Sequence, residues 1–152
     1  MTLELYKNTF VTLEEAEAYF DERFGSEKWF DKDLTDKTKE QLLVTASKKI
    51  SSFDFVGSAL EPGQPMAFPR DYEMPQDVKD AVCEEAYSML NQEVSVHKKN
   101  QEANISSISL GVGSVSYNST ASAVGEDSVL DSKAALNLVK KWVKKGFFYG
   151  NV

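Results

Sequence analysis

The side chains that most often carry out chemistry are few in this sequence and lie far apart. Among its 152 residues there is one histidine, His97, and one cysteine, Cys83. A protein zinc site needs several cysteine, histidine or carboxylate ligands at short, regular spacings, and no such spacing occurs here. We therefore expect His97 to be a solvated residue of a loop or helix end, Cys83 to be a buried structural residue of a helix, and no metal to be bound.

Neighbouring acidic residues are the next candidates, because paired carboxylates can serve as general acid and general base. Such pairs are Glu14 with Glu15, Asp31 with Asp33, and Glu84 with Glu85. Each falls in a polar helical face or in a loop, which is typical of solvated surface acids. The Gly-Val-Gly at residues 111–113 lacks the third glycine of a dinucleotide fingerprint, and the sequence has neither a Walker loop nor a nucleophile elbow. We expect no enzyme activity and no cofactor.

The elements that would position any site are predicted to be helices within one soluble domain. A chain of this length can bury one core, and it has no apolar run long enough to cross a membrane. Its start lacks the pattern of a signal peptide. The lone cysteine cannot form an internal disulfide, which favours a reducing cytoplasm.

The net charge of −7 is unevenly distributed. Residues 1–40 hold eleven acids and six bases, residues 41–125 ten and six, and residues 126–152 three and five, which gives −5, −4 and +2. A chain that is acidic over most of its length and basic only at one end is poorly suited to binding phosphates over a broad surface. It suits contacts between oppositely charged neighbouring subunits, or a surface that DNA passes without sticking. A charge that only aids solubility is an equally good interpretation of the composition.

The spacing of apolar residues predicts a mainly α fold, a bundle of about four helices. The first helix begins after Thr12, which forms a capping box with Glu15, and stops at Gly25. Its apolar face is predicted to be Leu13, Ala16, Phe20 and Phe24, and the next loop should be pinned by Trp29 and Phe30. The second helix spans about 36–51, the third opens at Pro75, and the last ends near Lys145. The single domain, 1–152, is divided into an N-terminal arm (1–11), a helical core (12–95), a ribbon and loop (96–127), a C-terminal helix (128–145) and a tail (146–152).

Residues 63–70 (Gly-Gln-Pro-Met-Ala-Phe-Pro-Arg) join two helical patterns and suit neither a helix nor a strand interior. Pro65 and Pro69 fix their own φ and push the preceding residues toward extended geometry. We interpret this segment as a stiff strap across the core, with Phe68 as its anchor and Arg70 released at its end. Stabilising the fold is the favoured role, ahead of direct partner contact, and the two roles are compatible.

Two apolar segments near the C-terminus are predicted to contact other chains. Alternating apolar residues in a Ser- and Gly-rich stretch, 105–117, predict a two-stranded ribbon, which is marginal alone and needs something to pack on. Three consecutive aromatics at a terminus seldom stay in water without a reason. The predicted interface residues are Ile105, Ile108, Leu110, Val112, Val115, Tyr117, Phe147, Phe148 and Tyr149.

Several of these segments, read in order, resemble the head–tail connector, or adaptor, proteins of tailed bacteriophages. The resemblance rests on residues 12–20 (Thr-Leu-Glu-Glu-Ala-Glu-Ala-Tyr-Phe), Trp29, residues 42–47 (Leu-Leu-Val-Thr-Ala-Ser), the strap, and the helix opened by Pro75. The family strap usually carries Trp at the place of Phe68 and Leu at that of Met66, and both changes keep an apolar anchor. The likeness covers roughly residues 10–95 and, more loosely, the rest.

The resemblance implies a structural virion protein, a subunit of a homo-oligomeric ring that typically has twelve copies. Such a ring sits in the neck under the portal, extends the DNA channel and offers a docking surface to the tail, a stopper or a tail-terminator protein. Genomic DNA would pass through its lumen without sequence-specific binding. Assembly would take place in the host bacterial cytoplasm, with no membrane partner.

The alternative function is a single-stranded-DNA-binding accessory protein of phage replication, since some relatives are labelled DnaT-like ssDNA-binding proteins. Binding single strands needs a basic groove interleaved with exposed aromatics. The basic cluster at 140–145 is short and the whole chain is acidic, so the sequence favours the structural role. An enzyme ranks last, because no site for one is found.

Overall fold

A computed structural model of the chain describes residues 2–102 and 130–144, and of residues 93–102 it describes the backbone. The α-helices in these ranges are α1 (Leu13–Glu22), α2 (Asp36–Ser51), α3 (Gln76–Glu102) and α4 (Lys133–Lys140), with a 3-10 helix at Glu27–Phe30. β structure in the same ranges is limited to isolated bridges. The predicted mainly α fold, a small helical bundle, is confirmed.

The starts of α1 and α2 follow from local sequence. Thr12 and Glu15 form both hydrogen bonds of the capping box at α1, each bringing a partner to a free amide. The Thr35 hydroxyl accepts from the amide of Thr38 and caps α2, whose bounds match the prediction.

Helix α3 begins directly after Pro75 but continues to Glu102. The helix thus continues past residue 95, where the helical core was expected to end. Neither glycine nor proline occurs between residues 76 and 102, and the polar residues at 98–102 include Lys, Gln and Glu, which have good helix propensity.

Helix α4 is shorter than the predicted 128–145. It begins at Lys133, where the Ser132 hydroxyl accepts from the amide of Ala135. It ends at Lys140, because the chain then pairs with the segment after α2: the amide of Val56 donates to Trp142 and that of Lys144 donates to Asp54, each at 2.9 Å. This pairing uses backbone groups that a longer helix would need.

The core lies where α2 and α4 pack on α3, with α1 and the arm closing one side. The Trp29 ring is fully buried and stacks on Phe20 at 4.4 Å, and its indole N–H donates to Glu17. Trp29 thus pins its loop as predicted, whereas Phe30 is 48% exposed. Cys83 is buried as expected, and burial raises the pKa of its thiol. Within the described ranges, no helix combines the length and the apolar character that crossing a membrane requires.

The strap covers the core as predicted, with Met66 and Phe68 buried. The Phe68–Pro69 peptide bond is cis. The prediction that Arg70 is released was wrong, because its guanidinium donates to four carbonyl oxygens at 2.8 to 3.2 Å, those of Phe55, Val56, Gly57 and Ala67. Arg70 therefore ties the strap to the segment that follows α2, and it satisfies carbonyls that lie in no helix or strand.

Candidate interaction surface

The largest departure from the predicted core is Phe24, whose side chain is 98% exposed. Helix α1 ends at Glu22, and Arg23 takes extended backbone angles. Phe24 therefore loses the helical spacing from Phe20 that would have brought it to the core. Gly25 follows with a φ of +82°, a left-handed conformation that favours glycine, and the chain turns with the Phe24 ring in solvent.

Helix α3 fixes this turn through side-chain contacts. The Arg23 guanidinium donates to both carboxylate oxygens of Glu84, at 2.8 and 3.2 Å, and lies 4.6 Å from the centre of the Tyr87 ring. The Tyr87 hydroxyl donates to the carbonyl of Gly25 at 2.8 Å. The hydrogen bonds that Arg23 donates to the Glu84 carboxylate raise the pKa of Arg23, so this pair stays charged and holds the backbone on either side of Phe24.

A shallow groove of about 260 Å³ lies beside Phe24 and is lined in part by Phe30, Asp21 and Glu27. We call the surface formed by these four residues the Phe24 patch. In the part of the chain that the structure describes, no ion pair neutralises Asp21 or Glu27. Arg23, which is paired with Glu84, also lines the groove, and the Lys39 ammonium lies 5.6 Å from the centre of the Phe30 ring. Exposed aromatic rings with a charged rim are typical of a protein contact. Because both cations are paired with acids, the patch is poorly suited to a phosphate backbone.

The neighbouring face, between α1 and α3, is also acidic. It forms an open groove of about 620 Å³, whose lining includes Glu15, Glu22 and Asp80. Lys79 pairs with Glu15 at 2.7 Å. Although burial opposes it, the bond to Lys79 lowers the pKa of Glu15. The α1 side of the molecule therefore carries negative charge on both sides of Arg23.

The acidic pair at 84 and 85 is not the solvated surface pair that the sequence predicted. Glu84 binds Arg23 and also accepts a short hydrogen bond from the Tyr19 hydroxyl. Glu85 is fully buried, pairs with Lys49 at 2.9 Å, and accepts from the amides of Asp131 and Ser132. Both carboxylates hold structure together. Within the described residues no three His, Cys, Asp or Glu side chains gather as metal ligands.

The basic end of the chain is partly neutralised by acids of its own fold. Lys141 pairs with Asp77 at 2.9 Å and Lys144 with Asp54 at 3.6 Å. The Trp142 indole also donates to Asp77, and its ring stacks on Tyr72. These lysines therefore offer phosphates less free charge than the sequence suggests.

The Asp77 contacts predict a pH-dependent contribution to stability. The hydrogen bond from Lys141, followed by that from Trp142, lowers the pKa of Asp77 below its ordinary 3.8. A carboxyl group whose pKa is lowered by folding stabilises the fold at pH values above its ordinary pKa. This stabilisation is lost as the pH falls through the pKa of the folded state. We expect Asp77→Asn to lower the free energy of unfolding at pH 7 by less than about 1 kcal/mol, and to have no effect near pH 2. Urea unfolding at both pH values tests this.

The matched control is Asp33→Asn, which removes the charge of an exposed loop carboxylate. It should leave stability unchanged at both pH values. An Asp77→Asn deficit that persists near pH 2 would contradict the charge argument.

The predicted site residues fall into two groups. The strap residues Pro65, Phe68, Pro69 and Arg70 are joined in one structural unit. The ribbon residues of 105–117 and the aromatic tail 147–149 lie outside the described ranges, so their interface role stays a prediction. The Phe24 patch was not predicted as a site.

One protein-family model matches almost the whole chain, residues 4–151, and its description reads "Putative DnaT-like ssDNA binding protein". The chain belongs to this DnaT-like family. No curated protein and no solved structure matches it. The DnaT-like match covers the described helices, the strap and the Phe24 patch together.

Proposed function

We propose that this DnaT-like chain is a structural virion protein, the subunit of a head–tail adaptor ring in the neck of a tailed bacteriophage. The observation that carries the proposal is the Phe24 patch. Its exposed aromatic rings and uncompensated acids suit a contact with another protein. A subunit that must contact both its neighbours and other virion proteins needs such surfaces.

The strap and the core fit a subunit that meets its partners as a rigid body. Arg70 joins the strap to the segment after α2 through four carbonyls, and Phe68 is fully buried. A pre-organised surface loses little conformational entropy on binding. The strap thus supports assembly by holding the subunit in one shape.

The partners follow from the resemblance to phage adaptors. We propose a closed ring of about twelve copies, docked on the portal and offering its other face to the tail, a stopper or a tail terminator. Genomic DNA would pass through the lumen, and the acidic faces beside α1 would repel its phosphates. Assembly would take place in the host bacterial cytoplasm, without an enzymatic step.

A second candidate function is single-stranded-DNA binding in phage replication, and the family description favours it. The described surface counts against it, because single-strand binding needs exposed aromatics beside basic residues. The exposed rings of Phe24 and Phe30 lie beside Asp21 and Glu27. The two cations nearby are already paired with acids, Arg23 with Glu84 and Lys39 with Glu17. Lys141 and Lys144, in the basic cluster, are paired with acids.

The mass of the protein in solution tests the two functions against each other. We would measure it by light scattering after size exclusion, for the protein alone, with the portal protein of the same phage, and with an oligothymidine single strand at physiological salt. The subunit mass is 17.0 kDa, so a twelve-membered ring has a mass of about 200 kDa. A ring, alone or on the portal, is the expected result.

The other outcomes contradict the proposal. A monomer that ignores the portal and shifts on adding oligothymidine would favour single-strand binding, and so would tight binding of the assembled ring to DNA. A chain truncated after Gly146 serves as an internal test, because loss of the three aromatics should weaken portal binding or assembly. If the truncated chain behaves as the full chain does, the tail has no partner role.

A further inference from the structure

The Phe24 patch has the chemistry to bind a segment that is both aromatic and basic. Phe24 and Phe30 offer apolar surface to another ring, and the patch lies in a strongly acidic stretch. Residues 13–36 hold nine acids and three bases, a net charge of −6. Charge complementarity between two surfaces favours the correct partner and speeds its encounter.

The C-terminal segment of this chain has that composition. Lysines stand at positions 140, 141, 144 and 145, and the aromatic tail, Phe147-Phe148-Tyr149, follows after Gly146. The described structure follows this segment as far as Lys144. The only other consecutive aromatics beside lysines are Trp29 and Phe30, between Lys28 and Lys32, and they belong to the acidic stretch itself.

The position of Lys144 sets the distance that the tail must span. Trp142 contacts Asp77 at the start of α3, whereas Tyr87 contacts the carbonyl of Gly25, beside Phe24. Asp77 and Tyr87 are ten residues apart on α3, which is about 15 Å along the helix axis.

The two ends are also separated around the helix. Helix α1 and the turn after it contact α3 through Lys79, Glu84 and Tyr87, whereas α4 and its flanking residues contact Asp77 and Glu85. At about 100° per residue, Tyr87 and Asp77 are about 80° apart around α3, whereas Glu84 and Asp77, seven residues apart, lie on nearly the same side. For a helix about 10 Å across, the path from Asp77 to Tyr87 along and around its surface is then about 17 Å.

Phe148 is four residues beyond Lys144, four extended residues span at most about 14 Å of backbone, and the aromatic side chains shorten the remaining gap. A tail of the same chain and that of a second copy can both reach the patch, and the proposed ring, which requires a contact between copies, favours the second copy. A contact in which one copy gives its tail and the next receives it is heterologous, and repeated contacts of this kind form a ring when the rotation between copies closes.

We propose that the aromatic tail of one subunit docks on the Phe24 patch of the neighbouring subunit, with Lys145, which directly precedes Gly146 and the aromatics, facing Asp21 and Glu27. This proposal rests on the proposed ring and names the contact that links its subunits. It makes Phe24 the receiving residue and Phe147 to Tyr149 the inserted ones.

Photo-crosslinking in mixed assemblies tests the contact. One copy carries p-benzoylphenylalanine in place of Phe148, and the other is uniformly labelled with nitrogen-15, so that mass spectrometry distinguishes adducts between copies from adducts within one. The two full-length chains are mixed under whichever condition, alone or with the portal, gives the larger mass. The main adduct should join position 148 of one copy to residues 20–30 of the other.

Substitutions in the receiving copy test the role of the patch. Phe24→Ala should lower the yield of that adduct about tenfold, the effect expected for an interface anchor. The control is Leu60→Ala, which also truncates an exposed apolar side chain, 59% exposed, and should leave the yield unchanged. Because Phe24 is almost fully exposed, its variant should keep the circular dichroism and urea midpoint of the parent.

Three results would overturn the proposal: an adduct within one copy, an adduct between copies at another surface, or a yield that Phe24→Ala does not change. If the ring mass persists in any of these cases, the adaptor function stands and only the docking proposal fails. If light scattering shows a monomer both alone and with the portal, both fail.

Discussion

Replacing Phe68 with alanine is expected to lower the free energy of unfolding by about 3–5 kcal/mol, the range for a fully buried phenylalanine. The Phe68 ring is 0% exposed. It contacts three other rings, with centroid distances of 5.7 Å to Phe10, 5.0 Å to Phe55 and 5.9 Å to Tyr72. Truncation would leave a cavity where the strap, the arm and the segment after α2 meet. Urea unfolding with an unchanged m value would measure the loss.

Leu60→Ala is the matched control for Phe68→Ala as well, because Leu60 lies in the same connection between α2 and α3 and is 59% exposed. It should change stability by no more than about 0.5 kcal/mol. If Phe68→Ala leaves the monomer as stable as the parent but prevents ring formation, the strap acts mainly at an interface and its role as a core element is contradicted.

The elements that the sequence predicts best are those whose signals are local. Helix α2 was predicted with both bounds, because Thr35 caps it and one apolar face runs through it. The burial of Phe68 was likewise predictable, since a ring between two prolines has few other roles. In both cases the deciding groups lie within a few residues of each other.

The position of Phe24 was missed because two local signals conflict. Its spacing from Phe20 extends the apolar face of α1, whereas Gly25 indicates that the helix has already ended. The helix ends before Phe24, because Arg23 leaves the helix and its side chain binds Glu84 on α3. Helix α1 ends at Glu22, three residues before Gly25, so Phe24 lies outside it.

Arg70 and Glu85 were misjudged for a different reason, since their partners are remote in sequence. The carbonyls that Arg70 binds come mostly from residues 55–57, and the amides that Glu85 binds come from residues 131 and 132. Glu85 did carry a signal, because it lies three residues after Val82 on the apolar stripe of α3. A charged residue on such a stripe is buried only with a partner.

The hydrogen bonds of Glu85 to the residues just before α4 make Glu85 the residue on which the packing of α4 against α3 depends. Its carboxylate accepts from the Asp131 and Ser132 amides at 2.9 Å, which precede the first turn of α4, and from Lys49 of α2. A negative charge at this end also matches the helix dipole. We expect Glu85→Ala to lower the free energy of unfolding by about 3 kcal/mol, the lower end of the range for removing one member of a buried pair. The low end applies because Lys49 retains Asp131 as a partner.

Hydrogen exchange separates loss of this anchor from general destabilisation. In Glu85→Ala the amides of residues 133–140 should exchange faster than those of α2, because α4 is held at its start by Glu85 and at its end by the pairing with residues 54–56. Glu85→Gln keeps the side-chain shape and one acceptor oxygen, so it should lower the free energy of unfolding by less than Glu85→Ala does. Glu73→Ala, which removes an exposed acid just before α3, should have no effect. Glu85 does not anchor this helix if the alanine variants at positions 73 and 85 lose equal free energy of unfolding. The same conclusion follows if the α4 amides exchange no faster in Glu85→Ala than in the parent.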